Sequence, residues 1–154
     1  MKSVVLLLLL FSLVNSYFHY NKDNGEAQIS GMLTCKATNF EDLPVVKMKL
    51  WEDDNGRGAY IDGDDLLGEF DVAPTGEFAI FGREKEYFDT EFYIQIHHTC
   101  GGKCRSLDVY QDKMANNDEI ELENQGDVDS GCNTKTWAEK EDIDNESKAN
   151  STNE

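Results

Sequence analysis

The middle of the chain alternates apolar and polar residues with a period of two, which is the spacing of β-strands. The alternation is clearest in residues 45–51 and 91–98. Each stretch would bury one face against a core, and the apolar face carries Val46, Met48 and Leu50 in the first stretch and Phe92, Ile94 and Ile96 in the second. Both stretches are therefore predicted to be half-buried strands.

Five shorter runs have the same character and are separated by clusters of Gly, Asp, Asn and Pro, which form turns. They are residues 29–35, 66–70, 78–82, 106–110 and 119–123. Short strands at this spacing predict an all-β fold, a sandwich of two antiparallel sheets with about seven to eight strands. At most one short helix is expected, a turn or two in residues 84–90.

The N-terminus has the pattern of a secretory signal peptide. Lys2 precedes the apolar run 4–11, and the small residue Ser16 follows it. The run is shorter than the about 20 residues that a membrane-spanning helix needs, although an uncleaved anchor is the alternative. The sequence predicts a signal peptide at residues 1–16 and a secreted, extracellular protein that is not an integral membrane protein and starts near Tyr17.

Composition divides the rest of the chain into three parts. Residues 17–28 are interpreted as a polar leader, and residues 29–132 hold the predicted strands. The acidic segment 133–154 contains little beyond Trp137 and Ile143 to bury. Such a composition does not offset the entropy lost on ordering, so this tail is predicted to be disordered.

Charge narrows the class of partner. The formal net charge is −17, which repels nucleic acid phosphates and anionic lipid heads. A nucleic acid partner is therefore not expected. The expected partner is an extracellular protein, a lipid or a small apolar ligand. The tail also carries sequons at Asn145 and Asn150, where N-glycosylation is predicted.

Four cysteines, an even count in an exported chain, indicate two disulfides. Four cysteines allow three pairings. Cys35 and Cys100 both lie on the inward alternation of their strands, which favours the bridge Cys35–Cys100 and leaves Cys104–Cys132. A hairpin bridge Cys100–Cys104 is the competing pairing. A zinc site is the other alternative, but a second close pair of cysteines is missing.

Short motifs occur in a fixed order between Gly31 and Cys132. They are G-x-L-T-C at 31–35, V-x-M-K-L-W-E-x-D at 46–54, D-D-L-L-G at 64–68, G-x-F at 76–78 and Y-x-x-I-x-H-x-C at 93–100. Together they resemble the transthyretin-like family of secreted nematode proteins. The chain departs from the family pattern at Phe92, where Pro is usual, and in the long acidic insert 53–63.

The resemblance implies an immunoglobulin-like or prealbumin-like sandwich and an extracellular binding or bridging role. It favours a non-enzymatic protein without cofactors. The enzyme alternative is a hydroxyisourate hydrolase, which uses a histidine and arginine set and a Y-R-G-S end. This chain has only His19, His97 and His98, and it lacks that end.

The candidate residues for contact with a ligand or partner are His98, Trp51, Tyr60 and Tyr93. His98 shares the inward face and is expected to be buried or at the rim of the sandwich, whereas His97 is expected to face solvent. Trp51, Tyr60 and Tyr93 are expected to face outward and contact a ligand or partner.

The acidic loop 52–65 is the candidate metal site, because Ca²⁺ prefers closely spaced oxygen ligands. The candidate ligands are Asp53, Asp62, Asp64 and Asp65. An EF-hand template fails, since it places Arg57 at a ligand position. A solvated hairpin loop is the simpler interpretation. A Ca²⁺-dependent adhesion module is therefore a weaker functional alternative.

Overall fold

The computed structural model describes residues 23–54, 63–86, 90–114, 118–141 and 143. Two β-sheets form the body of this part of the chain. The strands are β1 (Asp23–Thr34), β2 (Lys47–Glu52), β3 (Asp65–Asp71), β4 (Glu77–Glu86), β5 (Phe92–His98), β6 (Arg105–Tyr110), β7 (Asp118–Glu121) and β8 (Asp127–Val128). Two 3-10 turns, Phe40–Asp42 and Gln111–Lys113, connect strands, and a short helix begins at residue 137.

The strands form one three-stranded sheet in the order β4-β1-β7 and one five-stranded sheet in the order β3-β2-β5-β6-β8. The predicted two-sheet sandwich is confirmed. The five-stranded sheet is antiparallel throughout. The three-stranded sheet is mixed, because β1 pairs with β4 antiparallel and with β7 parallel.

The core lies between the two sheets and contains the predicted apolar faces. Met48 of β2 and Ile94 and Ile96 of β5 are fully buried. They face β1, whose Ala27 and Ile29 are buried from the other sheet. Burying such a side chain stabilises the folded state by about 1.5–3 kcal/mol. The alternation in the sequence therefore marks side chains whose burial favours folding.

The two disulfides are Cys35–Cys100 and Cys104–Cys132, the pairing that the sequence favours. The first joins the residue after β1 to the turn after β5, and it therefore links the two sheets. The second joins the residue before β6 to the segment after β8. Each bridge is expected to stabilise the fold by about 2–4 kcal/mol.

The N-terminal boundary of the domain was predicted too late. Strand β1 begins at Asp23, so the polar leader 17–28 and the domain start at residue 29 are wrong for residues 23–28. The polar side chains of Glu26 and Gln28 occupy the solvent face of this strand. Glu26, for example, forms an ion pair of 2.7 Å with Arg83 on β4, whereas Ala27 faces the core.

The helix predicted for residues 84–90 is also corrected. Residues 84–86 continue β4, in register with residues 23–25 of β1. Cross-strand hydrogen bonding overrides the local helix propensity of this Glu/Lys-rich segment. Residues 87–89 lie outside the described part of the chain.

The start of the acidic tail is ordered against the five-stranded sheet. The Trp137 indole N–H donates to the carbonyl of Val72 at 3.0 Å, and the Val45 N–H donates to the carbonyl of Lys135 at 2.8 Å. The prediction of disorder from residue 133 is therefore wrong for residues 133–141. The aromatic residue of the tail supplies both burial and a hydrogen-bond donor.

A capping box starts the short helix of this segment. The Thr136 N–H donates to the Glu139 carboxylate at 2.8 Å, and the Glu139 N–H donates to the Thr136 hydroxyl at 3.4 Å. This is the T-x-x-E signature of a helix N-terminus, and it was overlooked in the sequence. Within the described residues no helix is long and apolar enough to cross a bilayer. The predicted signal peptide and the sequons at Asn145 and Asn150 lie outside them.

A pair of leucine truncations tests the position of the core. Leu50 is 1% exposed, whereas Leu66 is 48% exposed on the other face of the same sheet. Leu50→Ala is expected to cost about 2–5 kcal/mol, because it leaves a cavity. Leu66→Ala is expected to change the stability by about 0.5 kcal/mol or less. Urea unfolding midpoints measure both, and equal losses would contradict the assigned core.

Candidate functional site

The outer face of the five-stranded sheet carries a row of three aromatic side chains, Trp51, Tyr93 and Tyr110. Strand register makes them neighbours, because Trp51 lies opposite Tyr93 and Tyr93 lies opposite Tyr110. The ring centroids of the first pair are 6.4 Å apart and those of the second pair 5.3 Å. We call these three residues the aromatic row.

Two carboxylates fix the phenols of the aromatic row. The Tyr93 hydroxyl donates to Asp64 at 2.6 Å, and the Tyr110 hydroxyl donates to Asp53 at 2.7 Å. The hydrogen bond to Asp53 is the main cause that raises the pKa of Tyr110 to about 12; burial and the negative charges of Asp53, Asp64 and Glu91 add to it. Tyr110 is therefore a neutral donor at physiological pH.

A cleft of about 740 Å³ opens beside Tyr110. It lies between the chain entering β5 and the 3-10 turn that follows β6. Among the described residues that line it are the carboxylates of Asp53, Glu91 and Asp112 and the ammonium of Lys113. We call it the acidic cleft. Its lining favours a positively charged group over an anion or an uncharged apolar molecule.

Two rings of the aromatic row already lie near cations of the chain itself. The Lys113 ammonium lies 5.3 Å from the centroid of the Tyr110 ring, and the Lys49 ammonium lies 6.0 Å from that of Trp51. Both distances are within the range of cation–π attraction. The aromatic faces are therefore placed where a cation can reach them.

His98 has a structural position. It is 1% exposed, on the inner face of β5, and its Nε2–H donates to the carbonyl of Gln125 at 3.2 Å. Burial lowers the pKa of His98, and the hydrogen bond to Gln125 only partly opposes that effect. The side chain is therefore neutral near pH 7. This agrees with the expected inward orientation, and it places His98 away from the acidic cleft.

His97 was expected to face solvent, and this prediction is wrong. It is 7% exposed, its Nδ1 lies 2.7 Å from an Asp129 oxygen, and its Nε2 lies 3.1 Å from the Gln95 oxygen. The segment after β8 covers it: a Cβ at Gly131 would lie 3.0 Å from His97 Nδ1. Alternation assigns only the face of a residue, so it does not reveal this covering segment.

Asp129 is the acidic partner in this contact. Its pKa is held below the usual range, mainly by the backbone N–H of Ser130 and also by the hydrogen bond with His97. His97 and His98 point to opposite faces of β5, as expected for adjacent strand residues. They do not form a shared site.

The aromatic residues that were predicted to face solvent are less exposed than expected. Trp51 is half-buried, but Tyr93 is only 3% exposed, because Trp51 and Tyr110 pack on either side of it. Tyr93 is therefore not the exposed contact residue that was expected. Tyr110 was not singled out, although its position in the predicted strand 106–110 was available. Tyr60 lies outside the described residues.

The acidic loop uses carboxylates to hold tyrosines. Asp53 and Asp64 accept the phenol hydrogen bonds, and Asp65 is exposed at the start of β3. In the ranges that the structure describes, no group of three or more His, Cys, Asp or Glu side chains is placed to hold a metal ion. Asp62 lies outside these ranges. The calcium hypothesis has no support from the described residues.

The family follows from a comparison with family models. The model of the Transthyretin-like family matches residues 30–111, more than half of the chain. The chain belongs to the transthyretin-like family. The resemblance read from the motifs is thereby confirmed. No curated protein matches the chain.

The family match covers only part of the site in this transthyretin-like protein. It includes the aromatic row, the Cys35–Cys100 bridge and His97. Strands β7 and β8 and the cleft residues Asp112 and Lys113 lie beyond it. The family match therefore covers the strands that carry the aromatic row, but it does not reach the charged cleft residues Asp112 and Lys113.

The Tyr110–Asp53 hydrogen bond predicts a stability change in alkaline solution. Tyrosine in an unfolded chain ionises near pH 10, whereas Tyr110 in the folded protein has a pKa of about 12. Because the folded pKa is the higher one, the stabilisation is fully present below about pH 10 and is lost as the pH rises towards about 12.

The measurement compares wild type with Tyr110→Phe. The difference in their free energies of unfolding in urea should stay constant at neutral pH and change between about pH 10 and pH 12. Asp53→Asn is the control, since it should bring the spectrophotometric pKa of Tyr110 back towards 10. A difference that stays constant throughout this window would contradict the assignment.

Proposed function

We propose that this protein is a non-enzymatic extracellular binding protein, and that its partner presents a basic segment of an extracellular protein to the acidic cleft. The observation that carries this proposal is that Asp53, Glu91 and Asp112 line the same cleft as Tyr110. The two disulfides fit an extracellular compartment, where such bonds persist.

The chemistry of the cleft supports a basic partner. A guanidinium or ammonium group gains from both neighbouring carboxylates and an aromatic face. Arginine can bind a carboxylate through two parallel hydrogen bonds, which adds geometric selectivity. The formal net charge of −17 attracts such a partner from a distance and speeds its association.

A small apolar ligand has less support. The space between the sheets is filled by side chains such as those of Met48, Ile94 and Ile96, which are fully buried. The acidic cleft is open to solvent and is lined by charged groups. An apolar molecule would leave these charges desolvated without a partner, which is costly.

The position of the histidines supports a non-enzymatic role. His97 is held by Asp129 and Gln95, and His98 is held in the core by Gln125. Neither residue lines the acidic cleft. A hydrolase of the related type would need histidine near its substrate. Turnover of hydroxyisourate above that of heat-inactivated protein would contradict this part of the proposal.

Peptide binding tests the proposed partner. Full-length protein with its disulfides formed is immobilised, and three probes are passed over it: an arginine–glycine peptide, a glutamate–glycine peptide and a fatty acid. Only the arginine–glycine peptide is expected to bind, and its affinity should fall with added salt. Binding of the fatty acid alone would overturn the proposal.

A pair of matched double variants locates the binding site. Glu91→Gln with Asp112→Asn removes two charges from the acidic cleft and is expected to raise the Kd of the arginine–glycine peptide about tenfold. Glu41→Gln with Asp42→Asn removes the same charge from an exposed 3-10 turn and should have little effect. Equal losses would mean that the peptide senses only net charge and not the cleft.

A further inference from the structure

The segment that follows β8 crosses one end of the five-stranded sheet, and we call its residues 129–141 the strap. The Asn133 side-chain N–H donates to the carbonyl of Val45, ahead of β2, at 2.8 Å. Farther along, the Trp137 indole N–H donates to the carbonyl of Val72, just after β3, at 3.0 Å. The strap therefore runs across the sheet from the side of β8 to the side of β3.

A disulfide holds the strap near its start. Cys132 of the strap is bonded to Cys104, the residue before β6, and we call this bond the strap bridge. Both of its cysteines are half-buried, and the neighbouring residues Lys103 and Gly131 are exposed. The Cys35–Cys100 bridge lies in the core instead, and its two cysteines are 9% and 0% exposed. A dissolved thiol therefore reaches the strap bridge more readily than the core bridge.

The two sulfur atoms of the strap bridge have opposite electrostatic surroundings. The backbone N–H of Cys132 points at the Cys104 sulfur from 3.2 Å, and Lys103 and Arg105 flank Cys104 in the chain. The Cys132 sulfur instead lies 3.2 Å from the carbonyl oxygen of His98 and 3.8 Å from that of Arg105. A donor and two cationic neighbours stabilise a thiolate, whereas carbonyl oxygens repel it. Cys104 is therefore the better leaving group, and Cys132 is the sulfur open to attack.

We propose that the strap bridge is a site of thiol–disulfide exchange, at which a dithiol reductant breaks the bond and releases the strap. A thiolate of the reductant attacks the Cys132 sulfur and forms a mixed disulfide, while the electron pair of the broken bond goes to Cys104 as its thiolate. The second thiolate of the reductant then displaces Cys132, and the reductant leaves as a disulfide. Two electrons and two protons pass from the reductant to the two cysteines.

Breaking the strap bridge leaves the sandwich intact and loosens the strap. The core bridge still joins the two sheets, whereas noncovalent contacts such as the His97–Asp129 pair and the Trp137 hydrogen bond must then hold the strap. Contacts of this kind open locally far more often than a covalent link. The acidic cleft lies at the opposite end of the same strands, beside Asp53 and Tyr110, so this proposal does not depend on its ligand.

Limited reduction of the full oxidised chain tests the site. The protein is treated with dithiothreitol for increasing times, quenched with acid, labelled with N-ethylmaleimide and mapped by mass spectrometry. The strap bridge is expected to open at least about tenfold faster than the core bridge. A brief exposure to glutathione should leave the mixed disulfide on Cys132 and a free thiol on Cys104. Equal rates for the two bridges would overturn the proposal, and glutathione found mainly on Cys104 would overturn the direction of attack.

A matched pair of lysine variants tests the electrostatic cause. Lys103→Gln removes a charge next to Cys104 and is expected to slow reduction of the strap bridge about threefold. Lys36→Gln removes the same charge next to Cys35 and should leave that rate unchanged. Both lysines are exposed, so both variants are expected to fold. The same rate in Lys103→Gln as in wild type would contradict the role given to the cations.

Hydrogen exchange measures release of the strap. In the partly reduced wild type, the Val45 amide, which donates to the Lys135 carbonyl, should exchange at least about tenfold faster. The Ile96 amide in the middle of β5 should keep its rate. Cys104→Ser with Cys132→Ser should give the same result without a reductant, and the reduced wild type decides the matter if this variant does not fold. A Val45 rate that stays unchanged when the strap bridge is open would refute release of the strap.

Discussion

The fold depends on the burial of β5 on both of its faces. Its inner residues pack in the sandwich core, and its outer residues Tyr93 and His97 are also buried. A strand buried in this way must sit in the middle of its sheet, and β5 pairs with β2 on one side and β6 on the other. The central part of the outer face becomes organised as a result, because the side chains of β2 and β6 are placed by their register with β5.

The acidic cleft follows from that register. Pairing with β5 brings Trp51 and Tyr110 to either side of Tyr93, and the phenols then reach Asp64 and Asp53. The tight turn between β5 and β6 helps to set this register. Gly101 and Gly102 in it adopt positive φ angles of 84° and 85°, which side chains disfavour.

The sequence predicted what depends on local pattern. Alternation located most strands and the inward orientation of His98, because a period of two is a property of the strand itself. It did not predict the covering of His97 by the segment around Asp129, because that contact joins residues distant in sequence. The capping box at Thr136 was a local signal and could have been found. The pairing of Tyr110 with Asp53 could not, since it requires the register of three strands.

The two sheets expose different side chains to solvent. Each sheet is therefore suited to a different kind of interaction. The outer face of the five-stranded sheet carries the aromatic row with its hydrogen-bonded phenols, and the cleft beside Tyr110 is lined by carboxylates. In the described residues, the three-stranded sheet instead ends at β4, which carries an exposed Phe81 and both signs of charge. A charged cleft selects a partner of opposite sign, whereas a strand edge selects by backbone hydrogen bonds and matched side chains.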